Sequence, residues 1–227
     1  MLVIKKKHEP RSLTEFRKKV GAAYSNADFP KDDVRDSLLK EQGGLCAYCM
    51  SRISKDSMKI EHWIPQKNEY YADTHSQSDC DKLAIEYGNM LGVCPGKGFG
   101  TGHDHDTCDT HRGNKRIKVT PLDEYIVGTI RYDHKGFIAS SDDSIQIDIQ
   151  ETLNLNEESL VANRKSAWDA CVASMLRNQE RGKWSTVLID KQIRHYEGTN
   201  ANGYRYPYSG IVLYLLKKMR KSKQGQP

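Results

Sequence analysis

The chain has no long apolar run. Its longest, Ile211 to Leu216, falls far short of the ~20 residues that span a bilayer, which excludes a helical membrane protein. No apolar segment follows the charged start Met1 to Lys7, so no secretory signal is expected and the protein is expected to be cytoplasmic. Seven prolines and 17 glycines in 227 residues are too few for a collagenous or low-complexity chain. There is no internal repeat. Nor is there a phosphate loop, since the glycines from Gly96 to Gly100 lack the required spacing and ATP hydrolysis is not expected. What remains is a polar globular composition, 37% hydrophobic and 29% charged, with a mean hydropathy of −0.74.

The net charge of +5 is unevenly spread. Residues 1–20 carry seven Lys/Arg against two acids, and residues 217–227 carry five against none, so the middle of the chain is acidic. A uniformly basic grip on nucleic acid is therefore not written into the composition. The basic ends suit either phosphate contacts or simple solvation.

Six cysteines stand at 46, 49, 80, 94, 108 and 171. In a reducing compartment, closely spaced thiols are metal ligands more often than disulfides. The two-residue gap between Cys46 and Cys49 lets one turn present two thiolates to a zinc ion, and Cys94 and Cys108 are the candidates for completing a tetrahedron. Thirteen residues, Pro95 to Thr107, separate that second pair, and they include His103 and His105, either of which could replace a cysteine. Asp104, His105 and Asp106 could form a further metal patch or a plain polar loop. Cys80 and Cys171 read as small buried side chains. A redox role for Cys46 and Cys49 lacks the βαβ surroundings it would need.

Local structure follows from periodicity and punctuation. Val34, Leu38 and Leu39 fall at helical spacing after Pro30, and Gly43-Gly44 is a strong stop. Arg52-Ile53 and Met58 to Ile60 are expected to form two strands joined by a turn. Tyr125 to Tyr132 and Gly136 to Ala139 are expected to form a hairpin. Asn156 is the expected N-cap of a helix ending near Gly182, with Val161, Trp168, Cys171, Met175 and Leu176 as its buried stripe. A last amphipathic helix is expected from Tyr208 to Lys221, with Ile211, Val212, Leu215, Leu216 and Met219 on one face.

Three short stretches carry the chemistry: Ile60-Glu61-His62-Trp63-Ile64-Pro65, Asn89 before the apolar step into Cys94, and Cys108-Asp109-Thr110-His111. Their order, bracketed by zinc-type cysteines, resembles the HNH endonuclease motif over about residues 42–118. The wider chain, including Gln42 to Cys49, Lys59 to Trp63 and Leu153 to Asn156, resembles the PtuB nuclease subunits of Septu and retron-associated anti-phage systems.

The resemblance implies an α+β fold, in which a ββα-metal finger with structural zinc is embedded in a largely helical protein with a small β-hairpin. It divides the chain into an N-terminal arm and helix (1–41), a nuclease core (42–118) and a hairpin plus helical region (119–227). It implies phosphodiester hydrolysis with His62 as general base, Glu61 and His111 holding a divalent ion (Mg²⁺ or another metal), and Asn89 bracing the loop that aims the base. Cys46, Cys49, Cys94 and Cys108 would hold zinc. Arg112, Lys115, Arg116 and Lys118 would contact the phosphates of DNA or RNA. The partner implied is an ABC/SMC-like ATPase of the PtuA kind, with no membrane involved. The alternative is a zinc-stabilised binding or interaction subunit without catalysis.

Overall fold

The computed structural model describes residues 1–98, 102–177 and 183–224. After α1 (Arg11–Arg17), α2 (Lys31–Gln42) begins behind Pro30 with Asp32 and Asp33 in its first turn, where acids favour the helix dipole. It ends as the sequence predicts. Gly43 adopts φ 62°, and the amides of both Gly43 and Gly44 return to the Leu39 carbonyl. Gly44 is also left-handed, and a Cβ there would stand 2.5 Å from the Tyr204 ring.

Strand β1 (Lys59–His62) pairs antiparallel with β2 (Met90–Val93), setting Glu61 opposite Leu91 and His62 opposite Met90. This corrects the expected pairing of 52–53 with 58–60. Arg52 instead forms an isolated bridge to Leu45, closing the turn that carries Cys46 and Cys49. Between β1 and β2 lies α3 (Gln77–Leu83), opened by a capping box between Ser76 and Asp79. The buried carboxamide of Gln42 donates to the carbonyls of Leu45 and Gly92 at 2.8 Å and accepts from the Gly92 amide at 2.7 Å, which fastens α2 to β2.

Downstream come α4 (Cys108–Arg112), α5 (Glu124–Gly128), a hairpin of β3 (Ile130–Tyr132) and β4 (Ile138–Ser140), and α6 (Asp143–Ile147), which runs into a π turn at Asp148–Thr152. The hairpin is shorter than expected, because Asp123 caps residues 124–128 into a helix. Helix α7 (Glu158–Leu176) is capped by Glu157, whose carboxylate accepts from the amides of Ser159 and Leu160. Asn156, the predicted cap, pairs its carboxamide with both the amide and the carbonyl of Ile138. The predicted helix end near Gly182 lies outside the described residues. Helices α8 (Thr186–Glu197) and α9 (Ser209–Gln224) pack together.

The main hydrophobic core runs from Met1 and Leu13 through the four-cysteine region to Ile211, Val212 and Leu216 of α9, with a smaller cluster of Ile64, Tyr71 and Cys80 beside it. The three predicted segments therefore share one interior. Trp168, Cys171 and Met175 face it as expected, whereas Leu176 is exposed. Among the described residues no helix is long and apolar enough to cross a membrane.

Candidate metal centre and catalytic site

Cys46, Cys49, Cys94 and Cys108 converge. All four are buried, and their sulfurs lie within 4.8 Å of one another. Cys46 to Cys108 is 3.9 Å and Cys49 to Cys94 is 3.7 Å. A tetrahedron with Zn–S bonds of ~2.3 Å has edges of about 3.8 Å, so the donor set fits zinc in both kind and spacing. The Ser51 amide donates to the Cys49 sulfur. Met50 (φ 65°) and Cys108 (φ 54°) both hold left-handed backbone, a strain that persists only where the surroundings fix it. Hydrogen bonds from the other thiols, chiefly Cys108, pull the Cys49 thiol well down, while burial pushes Cys46 up. Without a cation, four buried thiols cannot all ionise. His103 and His105 are not needed as substitutes. Cys80 and Cys171 are buried elsewhere.

Glu61 and His62 lie at the end of β1, each 5% exposed. The Oε1 of Glu61 accepts from Tyr48 Oη at 3.0 Å and from Arg112 Nη1. The Asp109 carboxyl, which pairs with Lys59 at 3.5 Å, is near enough to act on Glu61 electrostatically. Burial, with Asp109 adding to it, raises Glu61 to about 8 against the pull of Arg112. A like charge nearby disfavours the ionised form of Glu61, and a cation would offset that.

The Nε2 of His62 meets the Ala84 carbonyl at 3.0 Å. A carbonyl only accepts, so Nε2 carries the proton and Nδ1 presents its lone pair, which accepts from Gln66 Nε2 at 3.4 Å. Burial lowers His62 to about 4, with Ala84 and the charge of Asp109 opposing it, so the ring is neutral at physiological pH. Asn89 braces this corner. Its Oδ1 accepts from the Ile64 amide at 2.7 Å, and its Nδ2 donates to the carbonyls of Ile64 at 2.9 Å and Leu83 at 3.1 Å. It thus ties the end of β1 to the end of α3, where Ala84 stands.

The geometry bears on two sequence assignments. His111 has partners of its own. Its Nδ1 meets the Thr152 carbonyl at 3.0 Å, and its ring stacks on His103 at 4.5 Å. Among the described residues, the four cysteines alone bring three or more such ligand atoms within 4.8 Å, so Glu61, His62 and His111 do not converge on a shared ion. Residues two apart on a helix point about 200° apart, and it is Asp109 on α4 that faces β1. The signal was present in the sequence as an acid directly after the last thiol.

Arg112 is not a surface phosphate contact, because its side chain has no exposure. Beyond Glu61 it donates to the carbonyls of Lys115 at 2.9 Å, His62 at 3.3 Å and Trp63 at 2.7 Å, and to Tyr71 Oη at 3.4 Å. Lys115 and Arg116 are exposed, as predicted, but Arg116 is engaged with Asp73 and stands over the Tyr71 ring. Lys118 pairs with Asp142. In the predicted metal patch, Asp106 pairs with Lys97 and His103, and His105 lies 3.8 Å from Glu157.

No protein-family model matches the chain. A curated relative from Vibrio cholerae serotype O1 biovar El Tor, named "Retron Vc95 putative HNH endonuclease", is 26% identical over 179 residues, covering 73% of this chain and 81% of the relative. The resemblance read from the motif order thus has an independent counterpart in a retron-associated protein. At this identity the likeness supports a nuclease at the level of the family.

Proposed function

We propose that the chain is a metal-dependent HNH endonuclease that hydrolyses phosphodiester bonds in nucleic acid, with β1, β2 and α4 as a ββα-metal finger. We infer further that it is the effector of a bacterial anti-phage complex with an ABC/SMC-like ATPase subunit. The observation that carries the reading is His62: a buried imidazole whose Nε2–H is held by the Ala84 carbonyl, next in sequence to the buried Glu61 carboxyl.

Each residue then has a task. Nδ1 of His62 takes the proton of the attacking water, while the Ala84 carbonyl steadies the imidazolium through Nε2–H. Glu61 and Asp109 would hold the divalent cation, in place of the Glu61 and His111 pair expected from sequence. That ion would offset charge building on the phosphate and the leaving oxygen. Arg112 occupies one oxygen of Glu61 and leaves the other for the cation. Asn89 keeps the base-bearing corner in register. The four thiolates would hold zinc as a rigid footing. Exposed Lys115 and Arg116 offer contacts to the nucleic-acid backbone.

The test is cleavage of DNA and RNA by the purified chain with Mg²⁺ or Mn²⁺, alone and co-purified with its neighbouring ATPase. His62→Ala should lower cleavage by orders of magnitude while the fold and partner binding survive. Wild-type cleavage by that variant would remove the base assignment.

A further inference from the structure

The segment ahead of the finger reaches the base. Phe16 and Phe29 meet edge to face at 5.4 Å, Tyr24 leans on Phe29 at 4.7 Å, and Tyr24 then meets the His62 imidazole at 4.6 Å with planes at 90°. Phe16 and Phe29 are buried, so the Tyr24 ring is backed by a fixed aromatic pair. Tyr24 comes from the loop between α1 and α2, far in sequence from every motif residue.

His62 has few other restraints. The bond from Gln66 to Nδ1 is long, 3.4 Å, and comes from an exposed side chain. An open cleft of about 390 Å³ lies next to these groups, lined on one side by the loop from Gly21 to Ser25 and on the other by Ser78, Asp81 and Lys82 of α3. Three of its lining residues, Tyr24, Gln66 and Ala84, are the groups that touch the imidazole. Hydrogen bonds hold an imidazole at its edge. A perpendicular ring restricts its rotation, and Tyr24 supplies one.

We propose that Tyr24 is a positioning residue for His62: the N-terminal arm completes the site by holding the imidazole so that Nδ1 stays turned toward Gln66 and the cleft between loop 21–25 and α3. This rests on His62 being the base of a nuclease.

Two measurements on the full chain test this. In cleavage assays with Mn²⁺, Tyr24→Phe keeps kcat within about twofold of wild type. Tyr24→Leu, which keeps bulk and removes the ring, lowers kcat by about tenfold or more with KM little changed, because small misplacements of a catalytic group cost of order 10²-fold. Separately, ¹⁵N-histidine NMR of metal-free protein shows His62 as one Nε2–H tautomer in wild type and Tyr24→Phe, and as an averaged or doubled set in Tyr24→Leu. Should the Leu variant fail to fold, Tyr24→Met fills the space with a flexible chain and carries the same expectations. A folded Leu or Met variant with wild-type kcat or an unchanged His62 spectrum overturns the proposal, as does a Phe variant as impaired as Leu. If wild-type protein cleaves nothing, the nuclease reading fails by itself, and the NMR comparison still decides whether Tyr24 positions the ring.

Discussion

Arg112 donates to the Glu61 carboxylate from a position with no solvent exposure, and the same guanidinium holds the carbonyls of His62 and Trp63. One guanidinium therefore fixes both the Glu61 carboxyl and the backbone that carries His62. Arg112→Met should cost about 3–5 kcal/mol, since it removes the donor from the buried Glu61 carboxyl and from the carbonyls of His62, Trp63 and Lys115. Arg112→Lys should recover only part, because an ammonium cannot match the planar fork. Urea unfolding of the two variants measures this, and near-wild-type stability in Arg112→Met would refute the hub.

Sequence reading placed the cation on His111, the proposed site places it on Asp109, and single substitutions on α4 separate the two. Asp109→Asn is expected to lower metal-dependent cleavage about 100-fold or more, whereas His111→Ala is expected to stay within about fivefold of wild type. Parallel kinetics decide it. The reverse ranking would return the cation to the helix face bearing His111.

Zinc content distinguishes the six cysteines. Elemental analysis should find about one zinc per wild-type chain, retained in Cys80→Ser and Cys171→Ser and lost in Cys46→Ser and Cys108→Ser. Stripping the metal with a strong chelator should unfold the region around the thiols, with loss of helical circular dichroism.

Cation binding at the carboxyl pair should depend on pH. With Glu61 raised to about 8, the metal-free pair holds a proton at neutral pH that the incoming ion must displace. Apparent Mn²⁺ affinity should thus climb with pH, by up to about tenfold per unit, and level off above about 8. The same group binds its proton more tightly folded than unfolded, so its effect on the metal-free protein is a loss of stability as pH rises from about 4.5 toward 8. Calorimetry in buffers of different ionisation enthalpy counts the released proton. Affinity that is flat from pH 6 to 8 would contradict the shared-proton pair.

Sequence reading worked best where one residue type had one physical use. Gly43 and Gly44 could end a helix, and four thiols at metal-ligand spacing came together. It failed where the deciding neighbour was distant. The partner of Lys59 to His62 is Met90 to Val93, which no local pattern around Ser54 to Ser57 announces. Arg112 looked like one of several exposed cations, because only the tertiary fold shows Tyr48, Glu61 and Tyr71 closing over it. The Asp109 and His111 choice turned on helix register after the Pro95 to Thr107 insert, a phase that spacing alone cannot supply. Asn156 had the chemistry of a cap, but the hairpin claimed its carboxamide first.

The backbone around the thiols is stitched to the far end of the chain. The Arg205 amide donates to the Gly43 carbonyl at 2.9 Å, the Tyr208 amide to Met50 at 3.1 Å, and the Cys108 amide to Leu153 at 2.8 Å. A truncated fragment of residues 42–118 would leave those acceptors and that amide dangling, with left-handed Met50 and Cys108 no longer propped. The proposed nuclease core is consequently not a portable cassette. Fusions or domain grafts must carry the whole polypeptide, and a protease nick ahead of α9 should silence the enzyme from a distance.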